Sequence, residues 1–170
     1  DLGLKGKKAF VTGASRGIGL RIARLLAAEG ADVGICARDA GAVQETVAEL
    51  KRMGAKVFGA PADLKSDGAD LKAAIDGAAQ AFGGLDILIQ NVSAMAVQMR
   101  QKDWDAGYQV DILGTLRTVD AAMPWLQKSA AGSIVVIGSI AAVSGNGGPQ
   151  PYGALKAALV HYVSGLAHSL

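Results

Sequence analysis

An α/β fold, a doubly wound parallel sheet in three α/β/α layers, is predicted by three features of the sequence. Short aliphatic runs alternate with stretches of helical period, those runs mostly lack polar alternation, and a Gly-rich turn follows the first of them directly. Such alternation marks βαβ units, whose crossovers are right-handed. Strands are predicted at Ala9 to Thr12, Asp32 to Ala37, Lys56 to Ala60, Asp86 to Ile89 and Ser133 to Gly138. Their aliphatic content suits strands covered on both faces. Helices are predicted at Ile18 to Glu29, Ala42 to Met53, Asp70 to Phe82 and Trp104 to Leu126, with a last one from Tyr152 to the chain end. Gly30, Gly54 and Gly83 stand where helix C-caps are wanted.

The 170 residues are read as one domain, 1–170, because no repeat, Pro-rich linker or low-complexity tract interrupts the pattern. Apolar residues make up 51% and charged ones 19%, which suits a compact domain with a sizeable core. A formal charge of +2, with the cations scattered, argues against a nucleic-acid partner. The single Cys36 has no internal disulfide partner, and no leader-like segment precedes Phe10, so a cytoplasmic location is expected. Apolar runs such as Ile134 to Ile137 fall far short of the roughly 20 residues that span a bilayer, and no membrane partner is expected.

In a doubly wound sheet, ligands bind at the carboxyl ends of the strands. There the first strand runs into Thr12-Gly13-Ala14-Ser15-Arg16-Gly17-Ile18-Gly19 and then a helix. Glycines at these positions allow a tight turn, close approach of backbone N–H groups to a pyrophosphate, and close helix-on-strand packing. The phosphates then meet the positive end of a helix dipole.

This loop resembles the Thr-Gly-x-x-x-Gly-x-Gly loop of the short-chain dehydrogenase/reductase family, Rossmann-like oxidoreductases that use NAD(P)(H). The resemblance implies that Gly13, Ser15, Arg16, Gly17, Ile18 and Gly19 line the adenosine and diphosphate of the cofactor. Where an acid at the end of the second strand would select NAD, this chain reads Cys36-Ala37-Arg38. Arg38, with Arg16 nearby, can pair with a 2′-phosphate, so NADP(H) is favoured and NAD(H) remains possible. Asp39 is the alternative group to face the ribose. Asp63-Leu64 resembles the family's adenine-contacting pair, although an Asp at a strand end also serves as a turn former.

Tyr152 and Lys156 stand four apart at the start of the last predicted helix, which stacks them on one face. A phenol is a weak base at neutral pH, and a neighbouring ammonium favours its ionised form. Ser139 precedes Tyr152 by thirteen residues, directly after the strand Ser133 to Gly138, and Ser144 is a rival in the Gly-rich stretch to Gly148. The family has Ser, Tyr and Lys in this order and spacing. The resemblance thus implies that Ser139 polarises a substrate carbonyl, Tyr152 is the acid/base, and Lys156 relays protons or holds the nicotinamide ribose.

Two departures stand out. The family's fourth catalytic residue is an Asn, within a pattern like Val-Asn-hydrophobic-x-Gly, where this chain has Val110-Asp111-Ile112-Leu113-Gly114. Asp111 adds a negative charge that opposes ionisation of the tyrosine and invites pairing with Lys156. Gln90-Asn91-Val92-Ser93 stands where the family has Asn-Asn-Ala-Gly; Asn91 is retained as a cofactor-side residue, and the stretch from Asn91 to Trp104 is shorter than in the family.

Cys36 reads as a core residue, His161 and His168 as surface residues with no metal-ligand spacing, and Trp104, Tyr108 and Trp125 as packing groups. No metal is expected. The leading expectation is an NADP(H)-dependent dehydrogenase or reductase acting on a small carbonyl or alcohol. The alternative is a catalytically weak nucleotide-binding or regulatory module. Family members pair two helices into homodimers or homotetramers, for which Leu116, Val119, Met123, Leu159, Val163 and Leu166 are the apolar candidates. The resemblance also implies further C-terminal strands and on the order of 80 residues beyond Leu170.

Overall fold

The computed structural model describes residues 2–145 and 147–170. Five parallel strands, β1 (Lys8–Thr12), β2 (Asp32–Ala37), β3 (Val57–Pro61), β4 (Ile87–Gln90) and β5 (Ser133–Val136), form one sheet in the order β3-β2-β1-β4-β5. The crossovers carry α1 (Gly17–Ala28), α2 (Ala40–Arg52), α3 (Ala69–Phe82) and a long helical stretch before β5, and α6 (Pro151–Ser169) follows it. Strand order reverses direction at β1, so the crevice between the β1 and β4 ends is the topological switch point where such sheets hold ligands.

Alternation along the central strands builds the three layers. Phe10, Cys36 and Leu88 face a cluster with Leu71, Ile75, Ala78 and Val119 from the α3 side, while Ala9, Val11, Val33, Ile35 and Ile89 face Leu26, Val43 and Leu50 of α1 and α2. The strands thus bury both faces at the centre, as the sequence predicts. The two edges depart from it. Side chains of β5 alternate between exposed and half-buried, and β3 is only half-buried, because an edge strand has helical cover on part of its surface only.

The helix predicted from Trp104 begins earlier and is not uniform. It comprises α4 (Gln101–Gly107), a π-helical segment (Tyr108–Leu113) and α5 (Gly114–Leu126). Its first turn is fixed by the forked Arg100–Asp103 ion pair and a Gln101–Asp105 hydrogen bond, with Asp103 also complementing the helix dipole. β5 ends at Val136 rather than Gly138, because the Ile137 carbonyl turns to the Lys156 ammonium. Of the apolar candidates for a subunit contact, Val119 and Leu159 are buried inside the domain. Tyr108, expected to pack, is half exposed. No described helix is long and apolar enough to cross a membrane.

Ile75 on α3 is fully buried between helix and sheet. Ile75→Ala is therefore expected to cost roughly 3 kcal/mol of stability through lost burial and a residual cavity. Urea denaturation measures this.

Candidate active site

The loop after β1 is shaped by hydrogen bonds to its neighbours. Gly13 and Ala14 both donate their N–H to the Cys36 carbonyl, at 2.8 and 3.2 Å, which bends the chain over the end of β2. Asn91 donates its amide to the carbonyls of Thr12 (3.1 Å) and Gly13 (3.3 Å), so its side chain holds the loop from below. A Cβ on Gly19 would sit 2.4 Å from the Gly13 carbonyl oxygen and 2.6 Å from the Asn91 amide nitrogen. α1 rests directly on the loop, and nothing larger than glycine fits there. The N-cap of α1 is Arg16, which offers no side-chain cap, so no side chain at the N-cap blocks the positive end of the helix. These features fit a pyrophosphate.

Ser15 is half-buried, and Arg16, Gly17 and Ile18 are exposed on the outer side of the loop. Arg38 is exposed just beyond β2. Asp39, the alternative ribose-facing group, is the N-cap of α2 and accepts from the Ala42 N–H at 2.7 Å. Asp63 is exposed and closes a turn by accepting from the Lys65 N–H at 3.0 Å. Leu64 is buried in the core against Gly114.

Past the carboxyl ends of β4 and β5, the structure brings Tyr152, Lys156 and Asp111 together, with the turn that Ser139 opens packed on the start of α6. Ser139 caps a 3-10 turn (Ile140–Ala142), its hydroxyl accepting from the Ala141 N–H at 3.2 Å. That turn packs on the first turn of α6, where a Cβ on Gly153 would lie 2.9 Å from the Ala141 carbonyl oxygen. Lys156 is 3% exposed and donates to the Ile137 carbonyl at 2.9 Å. Its ammonium lies 5.9 Å from the centre of the half-buried Tyr152 ring and 3.5 Å from Asp111 Oδ1. Asp111 is 2% exposed; its Oδ2 accepts from the Ala94 N–H at 2.9 Å, while Oδ1 has no hydrogen-bond partner. The pair is therefore a direct ion contact between two buried groups. The rival Ser144 lies past the turn, with its N–H on the Ile140 carbonyl.

A chain of hydrogen bonds that joins the two halves escapes sequence reasoning. Thr12 donates its hydroxyl to Gln90 Oε1 (2.7 Å), Gln90 donates its amide to Thr115 Oγ1 (3.2 Å), and Thr115 donates to the Asp111 carbonyl (2.6 Å), all buried. The available signal is a Gln closing the otherwise aliphatic run Ile87-Leu88-Ile89-Gln90. Cys36 takes no part. Burial pushes its thiol up to about 12, against a smaller opposing effect of a backbone hydrogen bond with Gly13, and the thiol stays protonated at neutral pH. His161 and His168 are exposed, and no cluster of His, Cys, Asp or Glu able to hold a metal ion occurs among the described residues.

Removing one partner of a buried ion pair leaves the other charge uncompensated. Asp111→Asn and Lys156→Met are each expected to cost about 3 kcal/mol of unfolding free energy, and the double variant much less than their sum. Additive losses in urea unfolding would show that the two groups do not interact.

The family described as short chain dehydrogenase matches residues 7–170. The 3-oxoacyl-[acyl-carrier-protein] reductase FabG of Staphylococcus aureus is 31% identical over 169 residues, an overlap of 96% of this chain and 68% of the relative. FabG of Escherichia coli is 32% identical over 174 residues, covering 99% of this chain and 69% of the relative. Among solved structures, a short chain dehydrogenase from Burkholderia cenocepacia in complex with NADP superposes with a TM-score of 0.88 at 38% identity, over 98% of this chain and 69% of that one. A short chain dehydrogenase/reductase from Burkholderia phymatum in complex with NAD gives a TM-score of 0.89 at 30% identity, over 100% of this chain and 62% of that one. The parallel sheet with its glycine loop and these matches agree: the chain belongs to the short-chain dehydrogenase/reductase family of oxidoreductases.

Proposed function

We propose that this oxidoreductase reduces or oxidises a small carbonyl or alcohol with NADP(H), using Tyr152 as the acid/base. The observation that supports this reading is the buried Lys156 ammonium, held by Ile137 and Asp111, beside the Tyr152 ring past the carboxyl ends of β4 and β5. A bound nicotinamide would supply or accept the hydride. Gly13, Ser15, Arg16, Gly17, Ile18 and Gly19 would hold its pyrophosphate and adenosine side. Asn91 serves the cofactor indirectly, by fixing the carbonyls of Thr12 and Gly13.

During reduction, Tyr152 would donate its phenolic proton to the substrate oxygen, while the Ser139 hydroxyl donates a hydrogen bond to the same oxygen. The Ala141 N–H already on Ser139 Oγ leaves the hydroxyl hydrogen as the group to be donated. One N–H of Lys156 is engaged by Ile137 and the ammonium faces Asp111, so a further N–H would serve a ribose hydroxyl.

Arg38 supports NADP(H). With the Asp39 carboxylate drawn into the α2 cap, Arg38 is the charged group at the end of β2 with no such engagement, and its guanidinium suits a 2′-phosphate. Leu64 sits in the core, so any adenine contact in this region would fall to Asp63. The direct Asp111–Lys156 contact favours a second reading, a cofactor-binding protein with weak turnover, because it partly neutralises the lysine charge next to Tyr152.

Tyr152→Phe is expected to abolish nearly all NADPH consumption with ketones while the NADPH dissociation constant changes less than about twofold, since only a hydroxyl is lost. A variant with undiminished kcat would exclude Tyr152 as the acid. NADPH is expected to bind more than tenfold tighter than NADH, and Arg38→Asp to erase or reverse that order by repelling the 2′-phosphate. Calorimetric titration with both cofactors decides this, and equal affinities in the unmutated protein would refute the NADP(H) assignment.

A further inference from the structure

Asp111 and Lys156 stand apart from the other charges of the chain. Asp111 is the only charged residue from 106 to 116, Lys156 is the only one from 129 to 160, and residues 88–99, which run from β4 into its loop, hold none. The neighbouring elements bring no competing charge to the pair. On α4, Asp103 is forked to Arg100, Asp105 is bonded by Gln101, and Lys102 is exposed. On α5, Arg117 donates to the Ser66 carbonyl, and Arg16 of the glycine loop is exposed.

Both groups are buried, and the carboxylate is only half committed. Its Oδ2 accepts from the Ala94 N–H, while Oδ1 has no hydrogen bond and faces the ammonium at 3.5 Å. The charge on Oδ1 is thus compensated by Coulomb attraction alone. Charges buried in this way reach further than surface charges, because little water or salt screens them. With an amide at position 111, the ammonium would leave this part of the protein at a charge of +1; the carboxylate brings it to zero.

That difference bears on the cofactor, and the inference rests on the reading above in which a further N–H of Lys156 serves the ribose next to the nicotinamide. An oxidised nicotinamide ring carries one positive charge, and a reduced ring carries none. The phosphates and the adenosine are common to both forms. A lone ammonium beside that ribose would therefore oppose the oxidised form and leave the reduced form almost untouched. An ammonium with a carboxylate against it would not.

We propose that Asp111 is a counter-charge that raises the affinity of this site for the oxidised nicotinamide relative to the reduced one, and so draws the bound reaction toward carbonyl reduction. The second part follows from linkage. Whatever binds one form of the couple more tightly shifts the bound equilibrium toward that form by the same factor. The cofactor is oxidised as the carbonyl is reduced, so the carboxylate favours the alcohol on the protein.

Calorimetric titration of the protein with NADP+, NADPH, NAD+ and NADH tests this by binding alone, without turnover. The quantity read is the ratio of the dissociation constants of the oxidised and reduced forms of each couple. Asp111→Asn is expected to raise that ratio about three- to tenfold, and Asp111→Asn combined with Lys156→Met to return it to within about twofold of the unmutated protein. Loosened packing or a lost ribose contact weakens both forms alike and leaves the ratio unmoved. A ratio unchanged by Asp111→Asn, or a rise that persists when the ammonium is also removed, would overturn the proposal. Asp111→Ser is the substitute if the asparagine variant does not fold; if neither folds, a double variant whose ratio departs more than about threefold from the unmutated protein overturns it. Failure of all four nucleotides to bind would sink the cofactor reading and this inference with it, whereas tight binding with an unmoved ratio sinks this inference alone.

Discussion

Thr12 and Gln90 meet at the carboxyl end of the sheet, where β1 and β4 run side by side and neither water nor a second sheet can satisfy their polar groups. Leaving a buried donor or acceptor unmatched costs about 1–3 kcal/mol, so the partners of such side chains are constrained. The solution is a chain of donors and acceptors from Thr12 to Gln90, Thr115 and the Asp111 carbonyl, with Asn91 tying the same end to the glycine loop. The glycine loop and the helical stretch that carries Asp111 are thereby tied into one hydrogen-bonded unit. Displacing either leaves several buried groups unsatisfied at once.

The π-helical segment is where this unit meets Lys156 and the loop after β4. A single wide turn changes which side chains face inward, and such turns recur at functional sites. Gly107 packs on Ala96 and Leu155, Asp111 bonds to Ala94, and Gly114 packs on Leu64, so one face of the stretch reaches α6, the β4 loop and the β3 loop in turn. Both glycines lie on that face because close neighbours leave no room: a Cβ on Gly107 would meet Leu155 at 2.4 Å. The same close approach lets the short Asp111 side chain touch both the Ala94 N–H and the Lys156 ammonium.

How much of this is legible in the sequence follows from the range of each interaction. The central strands are legible because burial on both faces writes itself as aliphatic runs, and Tyr152 and Lys156 because helical spacing is local. The glycine loop is legible for the same reason. By contrast, the exposure of β5 depends on its place at the sheet edge, and the π turn leaves no mark in local propensity. The partner of Gln90 lies 25 residues away on another element, which no local pattern announces. Asp39 shows the limit most clearly: no local pattern distinguishes a carboxylate left free after β2 from one that accepts the Ala42 N–H as the cap of α2.

The exchange of an amide for a carboxylate at position 111 then has a structural meaning. An asparagine offers one acceptor oxygen and an NH2 group, so it can serve the Ala94 N–H only by turning donors toward an ammonium, or serve Lys156 only by releasing Ala94. Asp111 offers two acceptors and does both, one oxygen on Ala94 and the other toward Lys156. Burying that charge is tolerable because Lys156 is buried with it, and each makes the other affordable in a medium where either alone is costly. The consequence reaches past stability. The loop after β4 is held by the same carboxylate that stands beside Lys156, so the shape of that loop and the charge next to Tyr152 are not independent variables in this protein.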